Sequence, residues 1–232
     1  MRRSSIVAVV FALAFVVSLG LGVWLDDNSA ESVWPGAVDM MRVLPADVGD
    51  FSYRDVSMFP PRWWEDFIWQ EMFHSETFMG QSWERVLNMG YCDREHILLW
   101  SGSLDLDAIR RSLDSSVGGE EYRNVTVWIG HTYSWAILNH IVLTGYHDDV
   151  RRCIDAAKGA EPSLYDDENY RGVLNRLPKG MRLSLRSPER ESEYNPGLLV
   201  EGTSKTEDNG TLIETTVYCY GDGRYAVWTD AP

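Results

Sequence analysis

Positive charge, histidine and cysteine are all in short supply in this chain. Its 232 residues include 21 Lys and Arg against 35 Asp and Glu, a formal net charge of -14, with 5 His and 3 Cys. A surface this acidic repels phosphodiester backbones and anionic headgroups, so nucleic acid is excluded as a partner. Cys92, Cys153 and Cys219 are too widely spaced for a CxxC pair or a zinc knuckle. In an oxidising compartment one pair could be bridged and the third left free; buried thiols acting as small hydrophobes are the preferred reading. Catalytic fingerprints are missing too. The chain has no HExxH and no GxSxG, and its glycine pairs lack the strand-to-helix context that cradles phosphate. No cofactor and no metal site is assigned.

Against these absences stands one long apolar run. Residues 6–25, IVAVVFALAFVVSLGLGVWL, carry no charge, and as a helix they would cover about 30 Å, the thickness of a hydrocarbon core. Arg2 and Arg3 precede the run and all the acids follow it. That asymmetry predicts a single-pass membrane protein with its N-terminus in the cytoplasm and the rest outside. The run is long for a signal peptide, and Asn28-Ser29-Ala30 is a weak cleavage site, so an uncleaved anchor is preferred over secretion. No cysteine closely follows the run to carry a lipid. The expected organisation is an anchor over 1–28, a tether over 29–46 and an extracytoplasmic domain over 47–232.

Within that domain, alternation predicts strands over 50–59, 95–102, 122–130, 135–145 and 181–185, with helices over 105–118, 148–159 and 166–178. The stretch from Arg62 to Gly90 reads as one or two helices ending at a Gly90 cap. Residues 197–220 read as a hairpin followed by a short last strand. The fold class predicted is α+β: a transmembrane helix, then an antiparallel sheet with helices, built on a ferredoxin-like split βαβ core with a C-terminal β meander.

The densest aromatic group is Trp63, Trp64, Trp69, Phe73, Phe78 and Trp83. These residues suit a helix that is apolar over more than half its circumference, either as core or as a surface for a protein or a small apolar ligand. Trp63, Trp64, Trp69, Phe73 and Trp83 are the candidate ligand or partner residues. His131, His140 and His147 are the histidines that a metal or acid–base site would have to bring together, although their spacing does not require it. Glu71, His74 and Glu76 form a looser group that reads as a solvated helix face. The aspartates at Asp105, Asp107, Asp148, Asp149, Asp166 and Asp167 read as helix caps.

From residue 44 to 186 the order LPADVGDFSYRDVSMF, WSGSLDLDAIRRSL, Tyr122, Gly145, DDVRRCIDAAKG and SLYDDENYRGVLNRLPKG resembles the exported prokaryotic proteins grouped as DUF3352. That resemblance implies a membrane-anchored or secreted module and supplies no catalytic residues. The function expected is therefore a binding or interaction module of the cell envelope. The alternatives are a metal-dependent or acid–base hydrolase using the His131, His140 and His147 region, and a structural envelope component.

Overall fold

A computed structural model describes residues 29–58, 79–92, 96–187, 197–208 and 210–230. Among them eleven strands form one sheet: β1 (Asp50–Asp55), β2 (Val86–Cys92), β3 (Ile97–Gly102), β4 (Gly118–Tyr122), β5 (Val125–Ile129), β6 (Ser134–Leu138), β7 (Ile141–Gly145), β8 (Arg182–Arg186), β9 (Leu198–Asp208), β10 (Thr211–Tyr220) and β11 (Tyr225–Asp230). The order across the sheet is β11-β10-β9-β8-β1-β2-β3-β7-β6-β5-β4, and every neighbouring pair is antiparallel. The helices are short: α1 (Ala30–Val33), α2 (Pro35–Met41), α3 (Leu106–Ser116), α4 (His147–Ala157) and α5 (Glu168–Leu174).

The two faces of the sheet differ. Strand side chains alternate, and one set, including Phe51, Leu99, Leu143, Leu185 and Val217, packs under α1, α2, α4 and α5 in the larger core. The alternate set, including Met89, Trp100, Trp128 and Val142, forms a second cluster with Ile109 and Leu113 of α3. Only one of the five described helices thus lies on this second face, the open face below. Asp105 caps α3 by accepting from Ala108 N–H at 2.9 Å, and Asp167 caps α5 by accepting from Asn169 N–H at 2.7 Å.

The ferredoxin-like core is overturned. The apolar run over 135–145 is two strands folded back on each other, because Asn139 adopts a φ of +56° and turns the chain at Asn139-His140. The strand expected over 122–130 is the second half of another hairpin. Its turn residues Arg123 and Asn124 both have positive φ, +48° and +60°, the requirement of a two-residue turn matched to strand twist. Two added strands turn the split βαβ pattern into one continuous antiparallel sheet, so the fold is mostly β.

Two further differences follow from packing. Residues 86–92, expected as the end of a helix, are the strand β2, and Gly90 lies inside it. The stretch expected as a tether is helical from Ala30 and contributes Trp34, Met40 and Met41 to the core as fully buried side chains. No helix among the described residues is long and apolar enough to cross a membrane. The expected anchor, residues 6–25, lies outside the described residues.

Candidate functional site

The open face is floored by aromatic and apolar side chains that strand register sets in rows. Trp135 of β6 stands opposite Trp128 of β5 and Thr144 of β7. Thr144 stands opposite Leu98 of β3, and Leu98 opposite Tyr91 of β2. One step along, Val142, Trp100 and Met89 make the adjacent row. Trp100 is fully buried and stacks on Trp135 with ring centroids 5.9 Å apart and planes 16° from parallel. Trp128 is anchored from the side by donating its indole N–H to Asp114 of α3 at 2.7 Å.

Two concavities open on this floor. One of about 390 Å³ is lined by Tyr91, His96, Leu98, Trp100, Tyr133, Trp135 and Thr144. Its rim is an aromatic stair: Tyr133 stacks on Tyr146 at 5.4 Å, and His96 meets Tyr146 edge-on at 5.4 Å. The second, of about 300 Å³, shares Tyr91 and Leu98 with the first and continues over Met89 to Ser52 and Arg54. Shared walls make the two one shallow trough running from aromatic to polar. Tyr91, Leu98 and Trp135 are half-buried, so they present surface to an incoming group.

A separate, polar cavity of about 350 Å³ lies at one end of the sheet, where α2, β1, β2 and the β6–β7 turn meet. There the Tyr53 hydroxyl donates to Asn88 Oδ1 at 2.6 Å, and Asn88 Nδ2 donates to Ser101 Oγ at 3.1 Å. Burial, then the charges of Asp55 and Asp39, push the Tyr53 hydroxyl above its ordinary pKa. It therefore stays a hydrogen-bond donor throughout the neutral range. His140 Nε2 lies 3.4 Å from Asp39 Oδ2 at the mouth of this cavity.

The three histidines are not brought together. His131 and His140 sit in the turns at opposite ends of β6, separated by five strand residues, or roughly 16 Å of rise. His147 begins α4 on the His131 side, with Nδ1 3.1 Å from Ser134 Oγ and Nε2 3.4 Å from Glu120 Oε1. This Ser–His–Glu series has the contacts of a nucleophile relay, but Ser134 is 2% exposed, leaving its hydroxyl almost no surface for a substrate. Arg151 also holds Glu120, at 2.6 Å, so the series reads as a tie between α4 and the β4–β6 edge. Among the described residues no group of three His, Cys, Asp or Glu side chains is placed to hold a metal ion. Cys92, Cys153 and Cys219 are buried and outside any disulfide.

Trp63, Trp64, Trp69, Phe73 and Phe78 lie outside the described residues, as do Glu71, His74 and Glu76. The backbone of Trp83 falls in a single 3-10 turn, Trp83–Arg85, just before β2, and its side chain is outside the described set. Sequence reasoning missed Trp100, Trp135, Tyr91 and Leu98. The signal was present in β3: Ile97-Leu98-Leu99-Trp100 is apolar on both faces, and such a strand needs cover, or a ligand, on each side.

No protein-family model matches the chain, and no curated protein matches it. Among solved structures it is similar to TP0453 in crystal form IV, with a TM-score of 0.51 at 11% identity, covering 85% of this chain and 94% of that one. Crystal form I of TP0453 gives a TM-score of 0.49 at 12% identity over 82% of each chain. At this identity the likeness to crystal form IV is one of fold alone, and that fold is the mostly β sheet described above.

Proposed function

We propose that this chain is a ligand-binding module of the cell envelope, held by residues 6–25 with the described unit outside the cytoplasm. One observation carries the reading: the trough on the open face, where Trp100 stacks on Trp135 and both share its lining with half-buried Tyr91 and Leu98. A sheet face bearing this much aromatic surface around a cavity of about 390 Å³ suits a small apolar group, since apolar burial stabilises by roughly 25 cal/mol per Å². The apolar, uncharged run over 6–25 with Arg2 and Arg3 before it supports the location.

The test is calorimetric titration of the full chain, in nanodiscs of zwitterionic lipid, with 1-hexanol, after subtraction of empty discs. Saturable binding is expected, weakened about tenfold by Trp135→Ala and by Tyr91→Ala, which each remove about 1–2 kcal/mol of apolar contact. Heats identical to those of empty discs, for the parent and both variants, would overturn the reading. A phosphatase fused to the C-terminus is expected to be active in intact cells; activity confined to the cytoplasm would refute the topology.

A further inference from the structure

At its polar end the trough meets an arrangement that an acidic protein has little reason to build. Arg54 of β1 and Arg182 of β8 stand directly opposite each other in the antiparallel register. Their Cβ atoms are therefore about 5 Å apart, a spacing at which like charges oppose folding. Acids outnumber bases 35 to 21 in this chain, so composition alone would favour an acid at one of the two positions. Arg54's neighbours on that face, Ser52, Met89, Tyr91, Arg182 and Ser184, include no acid. Among the described residues no carboxylate pairs with Arg54. Lys205, the next cation along the row, is neutralised by Glu214 at 2.6 Å.

We propose that Arg54 and Arg182, with the hydroxyls of Ser52 and Ser184 beside them, form a receptor for an oxyanion, the phosphate, sulfate or carboxylate group of a ligand whose apolar part lies over Leu98 and Trp135. Guanidinium is the group that recognises such oxygens in pairs, and hydroxyls complete the donor set. Ser52 stands opposite Ser184 one step along the same face, and both Ser52 and Arg54 line the trough. Burial, and then the charge of Arg182, lower the pKa of the Arg54 guanidinium. A bound anion would offset both effects. Along the trough the order is then aromatic stack, apolar floor, cation pair, which is the order of groups in an anionic amphiphile.

This inference rests on the ligand reading of the same face, and the experiment separates the two. The full chain in zwitterionic nanodiscs is titrated with 1-hexanol, hexyl phosphate and inorganic phosphate. Hexyl phosphate is expected to bind about tenfold or more tightly than hexanol, the margin of a charge-assisted pair. Arg54→Gln and Arg182→Gln are expected to abolish that margin, and Arg54→Lys to keep most of it. Arg54→Gln also removes a like-charge contact, so its melting temperature is expected to equal or exceed the parent's, which separates lost binding from lost fold. Inorganic phosphate binding as tightly as hexyl phosphate, and lost in both Gln variants, supports the oxyanion site and assigns it to a free anion. Equal affinities for hexanol and hexyl phosphate, unaltered by the arginine variants but weakened by Trp135→Ala, overturn the oxyanion site and leave the binding module standing. Failure of every probe overturns both.

Discussion

Met40 sits directly over Gly90: a Cβ added at Gly90 would meet the Met40 sulfur at 2.8 Å and Leu99 and Phe51 at 3.1 Å. The absent side chain lets α2 close onto the centre of the sheet, where Met40 is fully buried. Gly90→Ala is therefore expected to destabilise the fold by about 1–3 kcal/mol through overpacking. Adding Met40→Ala should recover part of that loss, because the longer neighbour is then gone. Chemical denaturation of the two variants and the double variant tests this; equal losses that simply add would show that the two sites do not touch.

Trp128 and Asp114 join the open face of the sheet to α3. The indole ring is 4% exposed, and its N–H donates to the carboxylate at 2.7 Å. Asp114→Ala leaves that donor without its anion and is expected to cost about 1–2 kcal/mol. In a Trp128→Phe background the same substitution should cost almost nothing. A double-mutant cycle with no coupling energy would dissolve the tie.

Much of the strand content was legible, and the reason is physical. Val125-Thr126-Val127 alternates because Val125 and Val127 are buried and Thr126 is exposed, and in β10 Val217 and Cys219 are buried on either side of half-buried Tyr218. The capping aspartates were legible for the same local reason, since Asp105 and Asp167 each satisfy an N–H that the first helical turn leaves open. The strand count was hidden by turns with weak signatures. Only Asn139-His140 interrupts the apolar run from Trp135 to Leu143, and β4 is Gly-Gly-Glu-Glu-Tyr, a poor strand former held at the sheet edge by pairing with β5. The site was illegible for a different reason. Trp100 and Trp135 come from β3 and β6, and Arg54 and Arg182 are 128 positions apart in a 232-residue chain; register alone makes them neighbours.

Asp166 closes the short turn before α5 by accepting two hydrogen bonds from Ser163. Its Oδ2 accepts from the Ser163 backbone N–H and from the Ser163 hydroxyl, both at 2.8 Å. These bonds, the backbone one first, hold the Asp166 carboxyl below its ordinary 3.8. A carboxyl depressed in the folded state stabilises the fold above its unfolded pKa and loses that contribution as pH falls through the folded one. Acid unfolding below about pH 3.8 is accordingly expected to be shallower in Asp166→Asn, and neutral-pH stability lower, than in the parent. Superimposable pH–stability curves would show that Asp166 does not contribute.

Gln81 splints the start of α3 to the chain entering β2. Its side-chain amide reads the backbone of Asp105 at both ends: Nε2 donates to the Asp105 carbonyl at 3.0 Å, and Oε1 accepts from the Asp105 N–H at 2.8 Å. Gln81 is only 8% exposed, so water cannot replace these bonds without opening the structure. Gln81→Ala is expected to cost about 1–3 kcal/mol by stranding two backbone groups. Gln81→Glu keeps the acceptor but sets a carboxylate oxygen against a carbonyl oxygen, which favours the protonated acid in the folded state. A group whose pKa is raised by folding costs stability as pH rises past its unfolded value. The Glu variant should therefore approach the parent below about pH 4 and fall progressively behind it towards pH 7. Thermal melts across that range decide the matter: a deficit independent of pH would mean that the amide acts by shape alone, and no deficit would mean that the splint is not formed.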